Sequence, residues 1–213
     1  MKPRFIIPII ADLDKIEISK NLPRILSVLN GKQTEKELIR SVLQSVVTTP
    51  PQSFGHVSTN VVRVRQSELL TPVELLVLIH LSEKEIGIKQ SIEAVGICFS
   101  MTEAFRPEVL GAFMQQIIDE ATLPTLFMRT VIQAVTTYKS LQPYVSNTLL
   151  SRLITKKILT MPQLWQGFIR CSKVIAPDSY GAILQLPREQ IKEVGMKQPD
   201  LKEGLKEYVL KRE

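Results

Sequence analysis

Apolar residues recur along most of this chain at the three-and-four spacing of a helix, and prolines mark where the runs begin. The clearest run follows Pro107, where Val109, Leu110, Phe113, Met114, Ile117 and Ile118 form one stripe. Upstream, Phe5 to Leu13 predicts a short helix with Pro8 near its start. Leu22-Pro23 predicts the opening of a second, carrying Ile25, Leu26 and Leu29 and stopped by Asn30-Gly31. Thr34, with Glu37 three residues on, reads as a capping box ahead of Leu38, Ile39, Val42, Leu43 and Val46. Thr71-Pro72 with Glu74 starts a further helix through Leu75, Leu76, Leu78 and Ile79, and another spans residues 88–101.

One segment breaks the pattern. Thr49 to Leu70 holds Pro50-Pro51, Ser53, Gly55 and Asn60, and only Val57 to Val64 shows any alternation. It reads as a long mobile connection. From Thr71 onward the punctuation is regular. Prolines 72, 107, 124, 143, 162, 177, 187 and 199 each precede an apolar helical pattern. The intervals from Pro72 to Pro107, Pro107 to Pro143 and Pro124 to Pro162 are 35, 36 and 38 residues, each holding two helices. A period of that size is the mark of an α-solenoid. The tryptophan and small-residue pattern of TPR units is missing, so the expected fold is all-α: a HEAT-like solenoid of stacked antiparallel helix pairs. The chain reads as a single domain over 1–213, with N-terminal helices over 1–48, the loop over 49–70, regular pairs over 71–186 and capping helices over 187–213.

Composition changes this picture little. Hydrophobic content of 44% and charge of 23% are ordinary for a globular chain, and aromatics at 6% suit aliphatic helix layers. The short apolar run after Arg4 lacks the length and cleavage site of a secretory signal, and no run approaches a membrane span. Cys98 and Cys171 sit in apolar helical stretches and read as buried free thiols of a reducing compartment.

Charge changes it more. Ala121 to Pro177 contains no Asp or Glu but seven cations, Arg129, Lys139, Arg152, Lys156, Lys157, Arg170 and Lys173, more than the net +6 of the whole chain. Such a block suggests a surface that meets something anionic, against the plainer alternative of a solvated basic face. Helical phase divides it. After Pro124, Phe127, Val131, Ala134, Val135 and Tyr138 make the apolar stripe, opposite Arg129, Gln133, Thr136 and Thr137. After Pro143, Leu149, Leu150, Leu153 and Ile154 face the core, with Arg152 and Lys156 outside. After Pro162, Leu164, Trp165, Phe168 and Ile169 are core, while Gln163, Gln166, Arg170 and Lys173 face out. Alternate helices of a solenoid share a surface. Arg129 is therefore expected beside Arg170 and Lys173, with Arg152 and Lys156 on the other side. The candidate partner-binding set, for protein or RNA, is Arg129, Gln133, Arg152, Lys156, Lys157, Arg170 and Lys173. The Thr and Gln residues between these cations favour an acidic or polar protein over RNA, which would call for exposed aromatics and denser cations.

Catalytic patterns are missing. There is no Gly-rich phosphate loop, Gly-x-Ser-x-Gly, His-Glu-x-x-His or Cys-x-x-Cys. His80 lies on an apolar helix and reads as structural, His56 stands in the loop without an acid beside it, and Asp119-Glu120 reads as a solvated helix end. No catalytic residue, metal site or cofactor is expected.

Several runs, in order, resemble the C-terminal domain of the symplekin family. They are Arg4-Phe5-Ile6-Ile7-Pro8-Ile9, then Leu70-Thr71-Pro72-Val73-Glu74-Leu75-Leu76-Val77 with Ile79-His80, then Ile97-Cys98-Phe99. Leu123-Pro124, Met128-Arg129-Thr130-Val131-Ile132-Gln133, Leu153-Ile154, Trp165-Gln166-Gly167-Phe168-Ile169-Arg170-Cys171 and Leu184-Gln185-Leu186-Pro187 follow. The resemblance implies a non-catalytic nuclear scaffold of pre-mRNA cleavage and polyadenylation. Its implied partners are the C-terminal regions of the endonuclease subunit of the cleavage and polyadenylation specificity factor and of that nuclease's inactive homologue. It also implies that this chain corresponds to a fragment of a longer protein. An RNA-binding helical-repeat module using the 121–177 block is the alternative.

Overall fold

The structure, a computed structural model, describes residues 6–48 and 69–211. Within them every element is helical apart from one isolated parallel bridge between Val47 and Leu70. The all-α expectation holds. None of the described helices is long and apolar enough to cross a membrane. The chain divides into two compact units, Met1–Phe113 and Met114–Glu213.

The first unit opens with a 3-10 run, Ile7–Asp12, where a short helix over Phe5 to Leu13 was expected. Helix α1 (Lys15–Leu26) follows. Its Asp14 side chain accepts the Glu17 N–H at 2.8 Å, and the Glu17 side chain receives the Asp14 N–H in return. That capping box, and not Pro23, starts the helix. Pro23 sits inside it and is buried. An interior proline costs about 3 kcal/mol through its lost N–H and its clash with the preceding turn. Here the cap and the fully buried stripe of Ile18, Leu22, Ile25 and Leu26 offset that cost. Helix α2 (Gln33–Val46) buries Ile39, Val42, Leu43 and Val46 as its spacing predicts. The expected Thr34–Glu37 box does not form: Lys32 stands at the cap position without a side-chain bond, and Glu37 accepts from Gln33 Nε2 at 2.9 Å. Leu38 falls off the core face and is 41% exposed.

The Thr71–Glu74 box does form, with bonds of 3.2 Å and 2.8 Å in the two directions, and opens helix α3 (Pro72–Leu81). Burial works against the Glu74 carboxylate, but its bonds to Lys15 and Thr71 hold its pKa below the ordinary value. Helix α3 is apolar on nearly every side and is a core helix, burying Leu75, Leu76, Val77, Ile79 and His80. The His80 ring lies 4.6 Å from Phe113, and its Nδ1 is 2.7 Å from the Leu76 carbonyl oxygen. A carbonyl only accepts, so Nδ1 carries the proton. Burial pushes this imidazole down to about 4, which leaves it neutral near pH 7. A short turn, α4 (Glu83–Ile86), and helix α5 (Ile88–Ser100) complete the layer, with α5 packed on both α2 and α3. The Thr48 N–H to Leu70 and Leu70 N–H to Val46 bonds, each 2.9 Å, join the chain on either side of the long connection. That connection, with His56 and the alternating Val57–Val64 piece, lies outside the described residues.

Helix α6 (Pro107–Ile118) carries the boundary between the units. In the second unit α7 (Phe127–Thr137) starts later than its proline suggests. Pro124 lies in the preceding turn, its carbonyl accepting the Phe127 N–H at 3.1 Å. A helical run over 142–155 then passes from an α turn (Gln142–Tyr144) through a π segment (Val145–Leu149) into α8 (Leu150–Thr155). Lys157, at φ 57°, terminates it. Helix α9 (Pro162–Val174) has its proline in the first turn, as expected. The short α10 (Tyr180–Ile183), α11 (Arg188–Lys197) and α12 (Pro199–Leu210) complete the unit.

Fully buried Phe127 and Phe168 anchor this second core; burial of side chains this size stabilises by roughly 2–3 kcal/mol each. Trp165 is core, as its phase predicts. It stacks on Phe168 at 5.3 Å, and its indole N–H donates to Glu193 Oε1 at 3.0 Å. Lys197 bonds the same oxygen at 2.6 Å, and the two donors together hold the Glu193 pKa below its ordinary value. Both cysteines are free and buried. Loss of solvent pushes the Cys171 thiol up to about 12, and Cys98 is raised in the same direction.

Candidate partner-binding groove

The groove begins with a glycine. Helices α7 and α9 lie side by side because Gly167 has no side chain: a Cβ placed there would fall 2.4 Å from Met128 Cβ. No rotamer change relieves such a clash, since the opposing atom is the stem of a side chain on the neighbouring helix. The close approach sets the outward faces of both helices around one open groove of about 560 Å³. Its apolar lining is Met128, Ile132 and Gly167, and its polar lining is Thr125, Arg129, Gln133, Gln163, Gln166 and Arg170.

Among the described residues, neither the Arg129 nor the Arg170 guanidinium has a hydrogen bond or ion pair, and both side chains are exposed. Two planar forks of donors therefore stand at one groove with nothing neutralising them. Guanidinium forks match carboxylates, and glutamine amides between them can pair with either side of a peptide backbone. Among the described residues no aromatic lines the groove, and Trp165 on the same helix is only 4% exposed with its N–H already committed. A base-stacking platform is missing from this surface.

The remaining candidates go elsewhere. Lys173, expected beside Arg129 and Arg170, pairs with Asp200 of α12 at 3.2 Å and does not line the groove. Arg152 pairs with Asp119. Lys156 donates to the Glu120 backbone carbonyl. The Asp119-Glu120 end, expected to be merely solvated, is tied to Arg152 of α8 and to Lys156 just past it. Lys157 is exposed. Tyr144, close to this cluster, has its phenol raised by burial, with Arg152 and Asp119 acting in opposite directions. Thr136 and Thr137, phased with Arg129, turn their hydroxyls back to carbonyls of their own helix at 2.7 and 2.8 Å. No cluster of three or more His, Cys, Asp or Glu that could hold a metal occurs among the described residues.

The family model described as symplekin tight junction protein C terminal matches residues 2–198. The chain belongs to the symplekin C-terminal family. The match reaches into both compact units, stopping at residue 198 of the second, and takes in the whole of the α7–α9 groove, which ends at Arg170. Membership in the symplekin C-terminal family points to a scaffolding role in mRNA 3′-end processing and to protein interactions within that machinery. No solved structure matches the chain.

Proposed function

We propose that this chain is a non-catalytic scaffold subunit of the nuclear pre-mRNA cleavage and polyadenylation machinery. It binds the C-terminal regions of the endonuclease subunit and of its inactive homologue, and the alternate helices α7 and α9 of a HEAT-like stack present the contact surface. Membership of the symplekin C-terminal family supports the process. One observation carries the contact: Arg129 and Arg170, on two neighbouring helices, line a single glutamine-rich groove without a partner among the described residues. An acidic segment of a protein partner fits that chemistry. Of the other cations in the block, Arg152, Lys156 and Lys173 are already engaged within the unit, so they contribute at most to the rim of the contact.

Co-expression tests this. The wild-type chain is expected to co-purify with the two nuclease-like C-terminal regions as a stable complex. The double reversal R129E/R170E is expected to release them while the chain stays folded. Retention of the complex by that variant would remove the groove from the interface. Failure of the wild-type chain to capture either region would remove the scaffold assignment itself. The RNA alternative predicts a different result, an affinity for RNA falling steeply with salt as several phosphates are neutralised.

A further inference from the structure

A second groove lies between α11 and α12 and shares no residue with the first. It is open, about 670 Å³, and almost wholly apolar. Ile183, Val194 and Leu201 form its buried floor, Ile191 and Leu205 its half-buried walls. Beyond them Met196 and Leu210 stand 76% and 69% exposed, with Val209 at 39%. Two large side chains exposed to that degree at the mouth of an apolar trough are uncommon on a surface with no occupant.

The lysines around the trough identify the occupant. On α12, Lys202 and Lys206 are four residues apart on the groove side, flanking Leu205. Like charges at that spacing repel and destabilise a helix. Neither ammonium has a hydrogen bond or ion pair among the described residues. The Lys202 stem passes over Gly195 of α11, so its charged end is carried to the groove margin. On the facing helix Lys192 is a third cation, bonded to Glu189 at 3.1 Å, the one acid in the lining. The trough is thus apolar along its floor and net positive along its rim.

We infer that the α11–α12 groove docks an amphipathic helical segment of a partner protein, one that sets apolar side chains into the trough and carries acidic residues beside them to meet Lys202 and Lys206. A helix laid in a groove reads through apolar anchors at three- and four-residue spacing, and flanking charge selects among helices of similar apolar face. The inference does not rest on the scaffold assignment or on the Arg129–Arg170 groove.

The test uses the full 213-residue chain and two fluorescent helical peptides with the same stripe of leucines, one flanked by glutamates and the other by lysines. In anisotropy titrations the wild-type chain is expected to bind the glutamate peptide at least about tenfold more tightly than the lysine peptide, a modest margin for two charge pairs across an interface. K202E/K206E is expected to reverse that preference. M196D/L210D, at exposed positions and with its fold checked by circular dichroism, is expected to abolish binding of both peptides. R129E/R170E should leave both affinities unchanged. Equal affinity for the two peptides, or a preference untouched by K202E/K206E, would overturn the inference. So would the absence of binding to either peptide. A chain that sediments as a dimer and becomes monomeric in L210D would also overturn it, by assigning the groove to a second copy.

Discussion

The acid-free block presents two basic surfaces that look alike in sequence and differ in what they do with their charge. Arg152 and Lys156 are satisfied from within the unit by Asp119 and the Glu120 carbonyl, immediately upstream of the block. Lys173 is satisfied by Asp200, beyond its other end. Among the described residues Arg129 and Arg170 have no such partner, and both line one groove. A run without acids is therefore not the same as a run of free charge. The fold reaches past both ends of the run for counter-ions; among the described residues it leaves unpaired the two arginines placed by the α7–α9 contact, and Lys139 and Lys157, which do not line that groove. Free charge on a surface is available to a partner; charge already paired inside contributes a few tenths of a kcal/mol to stability and little to recognition.

The largest expected effect is on binding. R129E/R170E should weaken capture of the nuclease-like C-terminal regions by roughly 100-fold, the scale expected when two groups at the centre of an interface are reversed. R152E should leave that affinity within about twofold and instead lower thermal stability, because it sets two acids against each other at Asp119. Isothermal titration calorimetry beside thermal denaturation separates the two. Equal losses of affinity from both variants would erase the distinction between the surfaces.

The next effect is on packing. Gly167→Ala forces a Cβ into Met128 and must part α7 from α9, which should cost about 2 kcal/mol, as overpacking of a fitted contact does. The groove should widen with it. Chemical denaturation would report the stability loss, and partner affinity should fall alongside. A variant as stable as wild type would mean that the close approach does not set the spacing of the two arginines.

Much of this was legible in the chain. Helical phase placed Trp165 and Phe168 in the core and Arg129 and Arg170 on the outer faces of their helices, which needs only the 3.6-residue period; setting the two arginines on one surface needed the further expectation that alternate stacked helices share a face. The Thr71–Glu74 box was legible for the same local reason. Helix starts were less so. Proline at 124 stands ahead of its helix and proline at 23 stands inside one, since proline tolerates a first turn without marking it. The Asp14–Glu17 box was present in the sequence as a signal and outweighed the proline. The pairing of Arg152 with Asp119, 33 residues away, has no local signature at all. Nor does the trough between α11 and α12: its charges alternate along the sequence, and only the pairing of the two helices gathers the apolar positions to one side.

A smaller effect tests the internally paired surface directly. A double-mutant cycle on R152A and D119N should give a coupling of about 0.5 kcal/mol, the usual worth of a pair with side chains 39% and 65% exposed. At 1 M salt, where charges are screened within roughly 3 Å, the coupling should vanish. Arg129→Ala, run in parallel, should change stability by less than about 0.3 kcal/mol at either salt, as surface substitutions away from partners do. If it costs as much as R152A, Arg129 is serving the fold, and the contrast between the two surfaces is lost.

The smallest effect concerns the cation that left the expected surface. Lys173 and Asp200 are 47% and 81% exposed, so removing the pair with K173A should lower stability by only a few tenths of a kcal/mol. The informative variant is D200N. It frees the Lys173 ammonium while leaving its stem on α9, three residues beyond Arg170. If the groove attracts its partner through unpaired charge, D200N should tighten binding slightly, by about twofold, and raise the salt dependence of the association rate. A third free cation near the groove that changes neither quantity would show that the site recognises the geometry of its two guanidinium forks and not the local charge.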